Sequence, residues 1–427
     1  MHKHLPLIDK PEIQALLTKE RDELKLVTQL QKWGYSLEER QFLGEYSRIA
    51  PALKVRFKTP LWLWADSLAM QQSTAADLSQ YKAQLIPAQS RVADLCCGMG
   101  GDSFFLDASI SVFGVDLSFY RLQMFAKNHS LLRPTAPSFA VAADVTQIPF
   151  DFDYFLLDPD RRDHSRQDLN WDIENLSPSI NQVAAILQKH PNGLIKLSPA
   201  ADHKALFESQ ICGDYEWIGN KSDCRELLVR CGNLRADIQE SVQKLAQKET
   251  EKSSEKLSWG DVLISAVELE SAQKLTYSQS EIDKATFDLS QDCHVPSEGD
   301  YIYEPLKTAV RSHTFAPLAQ SLGLKLIDFH VAYLSSGELV EHTFLNAYKL
   351  IHPPVLQEKL VAPILKKLDV GEVIVKKRGI EINPNALALL WKGKKSAKVK
   401  IKDKLEVTII VTRVSQKPIY FICQEVK

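Results

Sequence analysis

The chain has 427 residues, of which 44% are hydrophobic and 25% are charged, and its formal net charge is −2. This balance is typical of a globular protein with about two or three domains. No apolar run approaches the ~20 residues that span a membrane, the N-terminus lacks the apolar core of a signal peptide, and seven cysteines without regular spacing predict no disulfide framework, so we expect a cytoplasmic protein.

The small net charge conceals an uneven distribution. Residues 371–427 hold 13 Lys or Arg against 5 Asp or Glu, a net charge of +8, which leaves −10 for the rest of a chain whose total is −2. A basic end on an acidic body is typical of a protein that docks a polyanion at one module. The alternative is a solvated lysine-rich face without a partner.

The first 66 residues predict a helical region. Apolar side chains recur near the 3.6-residue period at Leu16, Leu17, Leu24, Val27 and Leu30. A second helix is predicted to begin at Ser36, with Glu39 completing a capping box. Residues 51–66 are rich in aromatic side chains and predict extended chain, and a further helix is predicted from Met70 to Tyr81.

The stretch 90–235 predicts the core of the protein, because short apolar strands alternate there with helices. The strand candidates are 91–96, 111–115, 138–142, 153–157, 193–197, 215–219 and 226–230. This alternation predicts parallel βαβ units in a doubly wound, Rossmann-like α/β sheet. Residues 238–256 have few large apolar side chains and predict a solvated linker or loop.

A separate, small α+β module is predicted from about residue 300. Its predicted elements are a helix at 304–322, a strand at 324–334, a helix at 355–368, a strand at 372–376, a helix capped by Asn383, and paired strands at 405–414 and 419–426. We therefore predict three regions: a helical region at 1–66, a catalytic domain at 67–298 and a basic domain at 299–427.

Residues 92–116 carry the clearest functional signal. They predict an apolar strand, a glycine-rich turn, a helix, and a second apolar strand that ends on an acid. Gly98, Gly100 and Gly101 allow the backbone to pass close to a ligand. Asp116 follows Asp94 by 22 residues, at a position where an acid accepts hydrogen bonds from both ribose hydroxyls. The segment predicts the adenosine-binding end of an open α/β sheet.

The turn departs from the dinucleotide fingerprint. Ser103 stands at the sixth position, counted from Gly98, where that fingerprint has glycine, and Asp94 lies just before the turn. A carboxylate there repels a pyrophosphate and attracts a sulfonium. The pattern Asp94-Leu-x-x-Gly-x-Gly-Gly-Asp102 resembles motif I of the class I S-adenosylmethionine-dependent methyltransferases. In that family the turn holds the methionine half of the cofactor. A dinucleotide-binding turn, or a turn that binds nothing, is the alternative.

Polar side chains end three further predicted strands. Asp144 follows the third strand, where a carboxylate can accept from the adenine amino group, and Asp158 follows the fourth, at the ligand-binding edge of open sheets. Asp144 could instead cap the next turn, and Asp158, which precedes Pro159, could initiate one. Lys196 ends the fifth strand, where it could bind a phosphate, pair with an acid or only cap the strand.

Several motifs together resemble class I methyltransferases with a C-terminal THUMP-like domain. They are Gln72-Ser-Thr74, the glycine turn, Val115-Asp-Leu-Ser, Asp158-Pro-Asp-Arg-Arg162, Lys196-Leu-Ser-Pro, Tyr301-Ile-Tyr-Glu-Pro with Val310-Arg, and Val375-Lys-Lys-Arg-Gly-Ile. The resemblance implies S-adenosylmethionine as the cofactor and, through related THUMP-bearing enzymes, RNA as the acceptor. It also implies substrate contacts from Gln72, Thr74, Pro159, Arg162, Lys376, Lys377 and Arg378. Asp160 departs from the family, which commonly has a small residue there.

The fourth-strand motif indicates the chemistry. Enzymes that methylate base amines usually carry an aromatic residue where this chain has Arg161, and arginine can also stack on a base or pair with a phosphate. Methylation at position 5 of a pyrimidine needs a thiolate, whereas Cys212 and Cys224 are more typical of buried structural thiols.

We therefore predict methyl transfer to a nitrogen of a base in structured RNA, tRNA or rRNA. Asp158 would orient the amine or accept its proton, Arg161 and Lys196 would assist, and no metal is predicted. The alternatives are a methyltransferase for a protein or small molecule, and a non-catalytic RNA-binding protein with a relic cofactor fold.

Overall fold

The structure, a computed structural model, describes residues 3–161, 176–236, 257–391 and 405–426. It divides into two compact units, one formed by Met1–Tyr215 with Glu226–Glu255 (unit 1) and one by Glu216–Arg225 with Lys256–Lys427 (unit 2). The predicted linker at 238–256, the lysine-rich run at 392–404 and Arg162 lie outside the described residues. The predicted boundaries after residues 66 and 298 stay predictions.

Unit 1 begins with helices. They are α1 (Pro11–Lys19), α2 (Glu23–Lys32), α3 (Leu37–Arg56), α4 (Ser67–Gln72) and α5 (Ala76–Ala83), after a 3-10 turn at Leu5–Asp9. The predicted capping box of α3 is confirmed, since Ser36 N donates to Glu39 Oε2 at 2.8 Å and Glu39 N donates to Ser36 Oγ at 3.3 Å.

Two predictions about these helices are wrong. Helix α3 continues past residue 51 to Arg56, because Ile49, Leu53 and Phe57 continue one buried face at helical spacing across Pro51. The single helix predicted from Met70 to Tyr81 is two helices, with a break at residues 73–75. That break turns the chain so that it packs against the glycine turn.

The sheet of unit 1 follows the predicted strands closely. Its strands are β1 (Arg91–Leu95), β2 (Ser111–Asp116), β3 (Ser138–Ala142), β4 (Tyr154–Leu157), β7 (Gly193–Leu197) and β9 (Cys224–Cys231), in the order β9-β7-β4-β1-β2-β3. The short strands β5 (Asp160–Arg161) and β6 (Leu176–Ser177) pair separately, and the division between the units passes through β8 (Asp214–Gly219) and β9. The helices that alternate with these strands are α6 (Phe119–Leu132), α7 (Ile180–Lys189) and α8 (His203–Glu208).

Strands β3, β2, β1, β4 and β7 are parallel, and β9 is antiparallel to β7. Leu95 of β1 is in register with Val115 of β2 and Leu157 of β4, and Leu157 neighbours Ile195 of β7. The carboxyl ends of four strands therefore meet at one edge, which is where open α/β sheets bind ligands. The predicted parallel α/β architecture is confirmed.

The helix predicted between β1 and β2 is absent, since residues 96–110 form consecutive turns. The reason is Arg133, a buried residue just after α6. Its guanidinium donates to the carbonyl oxygens of Ser103, Leu106, Asp107 and Ile110 at 3.2, 2.8, 3.1 and 2.9 Å. These carbonyl groups are satisfied by a side chain 23–30 residues away, so the segment is held without helical hydrogen bonds.

Unit 2 combines a hairpin, helices and a second sheet. Its elements are β10 (Leu263–Glu268), β11 (Gln273–Ser278), α9 (Gln279–Ser290), β12 (Tyr301–Pro305), α10 (Lys307–Arg311), α11 (Phe315–Ser321), β13 (Lys325–Asp328), β14 (Val331–Ser336), β15 (Leu345–Leu350), α12 (Val361–Lys367), β16 (Val370–Lys377), α13 (Pro384–Trp391), β17 (Leu405–Val414) and β18 (Lys417–Glu425). The strands at 372–376, 405–414 and 419–426 and the helix after Asn383 agree with prediction.

Three predictions in unit 2 are wrong in detail. The helix predicted at 304–322 begins as strand β12 and then forms α10 and α11, which are separated at Ser312–Thr314, where His313 has a φ of 58°. The strand predicted at 324–334 is the hairpin β13–β14, turned where Asp328 Oδ1 accepts from His330 N at 2.9 Å. Of the helix predicted at 355–368, the α-helical part is α12, preceded by a 3-10 turn at Glu358–Leu360.

The seven-stranded sheet of unit 2 has the order β13-β14-β12-β15-β18-β17-β16 and is strongly curved. Arg378, just after the edge strand β16, donates to the carbonyl oxygen of Ala332 in β14 at 2.5 Å, although four strands lie between β14 and β16 in the sheet order. The opposite ends of the sheet therefore approach each other. Among the described residues, no helix is both long and apolar enough to cross a membrane.

Candidate active site

The glycine turn after β1 has an unusual backbone. Cys96, Gly98 and Gly100 have φ angles of 60°, 54° and 95°, in the left-handed region that glycine adopts readily. A Cβ atom on Gly100 would lie 2.7 Å from the Phe104 ring and 2.9 Å from His129. One on Gly101 would lie 3.1 Å from Thr74 N. Gly100 and Gly101 are therefore required for packing.

Gly98 differs from the other two glycines because its surroundings are open. Apart from the chain neighbours of Gly98, the one atom of the described residues within 4 Å of a Cβ built there is Arg121 Nη1, at 3.6 Å. Gly98 N donates to Asp116 Oδ2 at 3.1 Å, and Asp116 Oδ1 accepts from Ser118 N at 2.8 Å. The predicted ribose-binding acid thus lies directly beside the turn and fixes the position of Gly98.

Below the turn, Asp94 belongs to a buried polar chain. Its carboxylate accepts from the Ser103 hydroxyl, which contacts His129 Nε2 at 3.1 Å, and His129 Nδ1 lies 3.1 Å from Ser138 Oγ. Burial, together with Asp102, raises the pKa of Asp94 well above its usual range. Burial lowers the pKa of His129 to about 3, so this imidazole is neutral at physiological pH.

A second buried cluster joins the turn to α5 and β9. The Lys82 ammonium bonds to Asp102, the last residue of the glycine motif, and lies 3.2 Å from Glu226 Oε1. Burial lowers the pKa of Lys82, but the two carboxylates outweigh it and raise the pKa above its usual value. Burial likewise raises the pKa of Asp102, and Lys82 and Lys196 outweigh it, so that the pKa lies below its usual value.

At the ends of β4 and β7, Asp158 and Lys196 form an ion pair. Their side chains keep 31% and 20% of their surface exposed, so both groups reach the surface of the site. Burial, partly offset by Lys196, raises the pKa of Asp158 to about 6. Of the roles that the sequence allowed Lys196, the geometry fits pairing with an acid.

Gln72 bridges the cofactor turn and the strand-4 motif. Its Oε1 accepts from Arg121 Nη2 at 2.9 Å, and its Nε2 donates to Asp160 Oδ1 at 3.1 Å. Asp160, the departure from the family pattern, is therefore bonded to a residue that the sequence predicted to contact substrate. Gln72 is the last residue of α4, directly before the break that leads to α5.

The remaining predicted residues lie in varied surroundings. Asp144 is exposed, and its Oδ1 accepts from Thr146 N and Thr146 Oγ1, both at 2.8 Å, so it caps a turn as the sequence allowed. These Thr146 hydrogen bonds lower its pKa. Pro159 is buried behind Asp158. The side chain of Arg161, like the whole of Arg162, lies outside the described part of the chain.

The basic trio of the predicted docking module lies in unit 2 and is partly engaged there. Lys376 Nζ lies 2.6 Å from Glu304 Oε2, and Arg378 Nη2 lies 3.8 Å from Glu304 Oε1. Lys377 is exposed and donates to the carbonyl oxygen of Ile382 at 2.7 Å. Lys376 and Arg378 therefore hold the curved sheet together, and Lys377 is the member that faces solvent.

Sequence reasoning missed four residues that the structure brings to the turn: Lys82, Arg121, His129 and Glu226. Glu226 directly precedes the apolar run 227–229 of β9, a weak signal that the sequence does carry, whereas Lys82 lies in a helix with other polar residues and gives none. Arg121 and His129 lie on α6, but nothing in their spacing indicates that they face the turn. All four become visible only when β1, β2 and α5 are packed together.

The residues present fit a cationic adenosine cofactor. Open backbone at Gly98, an acid at the end of β2 and further carboxylates at Asp158 and Asp160 surround the turn. S-adenosylmethionine carries a sulfonium and an ammonium group, both of which carboxylates attract. Within the described residues, no group of three or more His, Cys, Asp or Glu side chains is arranged to hold a metal ion.

Comparison with known proteins agrees with this fit, although no family model matches the chain. Two curated relatives, each named as an uncharacterized S-adenosylmethionine-dependent methyltransferase, come from two strains of Mycobacterium tuberculosis. Each is 21% identical over 380 residues, which cover 89% of this chain and 91% of the relative.

A crystal structure named "putative methyltransferase from Porphyromonas gingivalis W83" has the same fold. It superposes with a TM-score of 0.70 at 18% identity and covers 92% of both chains. The relatedness in sequence over most of the chain, the shared fold and the geometry of the glycine turn confirm the predicted enzyme class and cofactor: the chain is an S-adenosylmethionine-dependent methyltransferase.

Proposed function

We propose that this enzyme methylates a nitrogen of a base in structured RNA, tRNA or rRNA, with Asp158 as the residue that orients the amine and accepts its proton. The observation that carries the proposal is the Asp158–Lys196 ion pair. It lies at the carboxyl ends of β4 and β7, and β4 is the direct neighbour of the strand that precedes the glycine turn. A group at this position faces both the cofactor and an acceptor.

The roles of the two residues follow from their charges. Bound S-adenosylmethionine supplies an activated methyl group. The pKa of Asp158 is about 6, so at higher pH its carboxylate is ionised and accepts a hydrogen bond from an N–H group of the acceptor. As the N–C bond forms and the S–C bond breaks, the proton of the nitrogen passes to Asp158 and then to water. Lys196 orients the carboxylate and favours its ionised form, and most of the acceleration comes from alignment.

The cysteines near the turn favour nitrogen over carbon as the target. Burial, with Asp116 and Asp158 nearby, raises the pKa of the Cys96 thiol, and burial raises that of Cys97 well above its usual range. Both therefore stay protonated at neutral pH. Methylation at position 5 of a pyrimidine needs a thiolate nucleophile, which these thiols do not supply.

Support for RNA as the acceptor comes from the basic end of the chain. Because Lys376 and Arg378 pair with Glu304, phosphate contacts are assigned to Lys377 and to the run at 392–404. That run contains Lys392, Lys394, Lys395, Lys398, Lys400, Lys402 and Lys404, with Asp403 as its one acid. Gln72, Arg161 and Arg162 are proposed to contact the acceptor nucleotide, and Gly98, Asp102, Asp116 and Asp144 the cofactor. Thr74 and Pro159 are buried, so the substrate contacts expected of them are replaced by a supporting role in the site.

Nucleoside mass spectrometry tests the proposal. RNA from cells that lack the protein is expected to lose one methylated nucleoside, and purified enzyme with labelled S-adenosylmethionine is expected to restore it. Asp158→Asn should abolish the transfer, whereas Asp153→Asn, which alters an exposed acid before β4, should not. Label that resists ribonuclease but not protease would overturn the RNA acceptor, and full activity of Asp158→Asn would overturn the catalytic assignment.

A further inference from the structure

Arg121 is a cation at the glycine turn for which the structure shows no acidic partner among the described residues. Its guanidinium uses Nη2 to donate to the neutral Gln72 amide at 2.9 Å, and Nη1 lies 3.6 Å from the position of a Cβ on Gly98. Arginine presents five N–H donors in a planar fork. Nη1 therefore lies beside the open space at Gly98.

The other cations of the site are already neutralised. Lys82 is paired with Asp102 and Glu226, and Lys196 is paired with Asp158. Arg121 is half-buried, which makes an unmatched charge more costly than on an open surface. A half-buried guanidinium beside a ligand-binding turn therefore indicates an anionic group on the ligand.

S-adenosylmethionine carries one such group. Its methionine tail ends in an ammonium and a carboxylate, and the acids Asp116, Asp158 and Asp160 near the turn suit the ammonium and the sulfonium but repel the carboxylate. The carboxylate needs a cation within reach of the turn, and planar bidentate recognition of carboxylates is what arginine does best.

We propose that Arg121 binds the methionine carboxylate of S-adenosylmethionine and that Gln72 positions the guanidinium for this contact. Gln72 is suited to the task because its amide is held at both ends, by Arg121 on one side and by Asp160 on the other. Its carbonyl oxygen therefore points at Arg121. The proposal rests on the cofactor and is independent of the RNA acceptor.

The test compares two ligands that differ by the carboxylate alone. Binding of S-adenosylmethionine and of decarboxylated S-adenosylmethionine is measured by titration calorimetry without RNA, for the wild type, Arg121→Met and Arg121→Lys. Arg91→Met is the matched control, because Arg91 is a half-exposed arginine at the amino end of β1, paired with Asp153. Binding stoichiometry reports the folded fraction of each variant.

We expect Arg121→Met to weaken S-adenosylmethionine about 10- to 100-fold, the effect of losing a charge-assisted pair. It should leave the affinity for the decarboxylated ligand within about twofold of wild type. Arg121→Lys, which keeps the charge but not the fork, should fall between.

Equal weakening of both ligands would overturn the proposal, because a structural role for Arg121 affects them alike. Unchanged binding of S-adenosylmethionine would also overturn it. Misfolding cannot imitate the expected result, since it lowers stoichiometry for both ligands and does not change their ratio. If RNA is not methylated but the calorimetry gives the expected result, the proposed RNA acceptor is wrong and the proposed role of Arg121 stands.

Discussion

Replacing Lys82 with methionine tests whether the buried charge cluster stabilises unit 1. The Lys82 ammonium contacts Asp102 and Glu226, and 2% of its side chain is exposed. Removing one partner of a buried ion pair costs about 3–5 kcal/mol, because an uncompensated charge stays behind. Since two carboxylates lose their cation here, we expect Lys82→Met to lower the free energy of unfolding of unit 1 by about 3–5 kcal/mol.

The pH dependence of this loss identifies its cause. In the wild type the pKa of Asp102 lies below its ordinary value of 3.8, so its stabilising effect is present above pH 3.8 and is lost as the pH falls through the folded pKa. In Lys82→Met the effect of burial on Asp102 is offset by Lys196 but no longer by Lys82, so we expect the pKa of Asp102 to rise above 3.8. The ionised group then destabilises the variant increasingly as the pH rises. The difference between the two proteins should therefore be larger at pH 8 than at pH 5.

Urea unfolding gives the stability, and hydrogen exchange in β1 reports on unit 1 separately. Lys127→Met is the matched control, because Lys127 Nζ lies 2.8 Å from Asp9 Oδ2 with 28% and 37% of the two side chains exposed. Exposed ion pairs contribute about 0–1 kcal/mol. Equal losses for both variants, or a loss for Lys82→Met that is the same at both pH values, would refute the reasoning.

Three further predictions concern the turn, the pair at the strand ends and the basic run. Gly100→Ala should lower the free energy of unfolding by about 2–5 kcal/mol, because the new side chain is strained at a positive φ and overlaps its neighbours. Gly98→Ala should lower it by about 1–2 kcal/mol, because the added methyl group meets open space. Denaturation with and without cofactor measures both losses, and equal losses would contradict the packing argument. Lys196→Met should raise the pKa of Asp158 above 6, because Lys196 lowers it in the wild type. The acidic limb of the pH profile of kcat/KM should then move to higher pH. If that limb does not move, the ionisation of Asp158 does not control the rate. Replacing four lysines of 392–404 by glutamine should reduce the salt dependence of RNA binding by up to about 0.9 per lost phosphate contact, and an unchanged slope would exclude the run from docking.

The sheet of unit 1 was predictable because its signals are local. Each strand of the parallel sheet is a short apolar run bounded by turn residues, and the predicted and observed limits agree within one or two residues. The capping box at Ser36 is likewise encoded within four residues. Asp116 and Asp158 could be named because strand ends in a parallel sheet share one edge.

The errors arose where distant contacts decide the structure. Arg133 supplies the hydrogen bonds that replace those of a helix after the glycine turn, and no local pattern in residues 96–110 indicates these contacts. In the same way, Lys376 and Arg378 pair with Glu304, which lies more than 70 residues earlier in the chain. The curvature of the sheet brings these side chains together. Of the three adjacent basic residues 376–378, one, Lys377, therefore faces solvent.

The structure changes the reason for excluding a dinucleotide. The sequence argument used the charge of Asp94, yet Asp94 is 3% exposed, bonded to Ser103 and subject to a raised pKa, so it presents little charge to a ligand. A pyrophosphate is bound by free backbone N–H groups at the first turn of a helix. Here residues 96–110 form no helix, and Gly98 N is occupied by Asp116. The turn therefore presents neither a helix N-terminus nor a free Gly98 N–H group to a pyrophosphate, and it keeps the carboxylates that a sulfonium and an ammonium group favour.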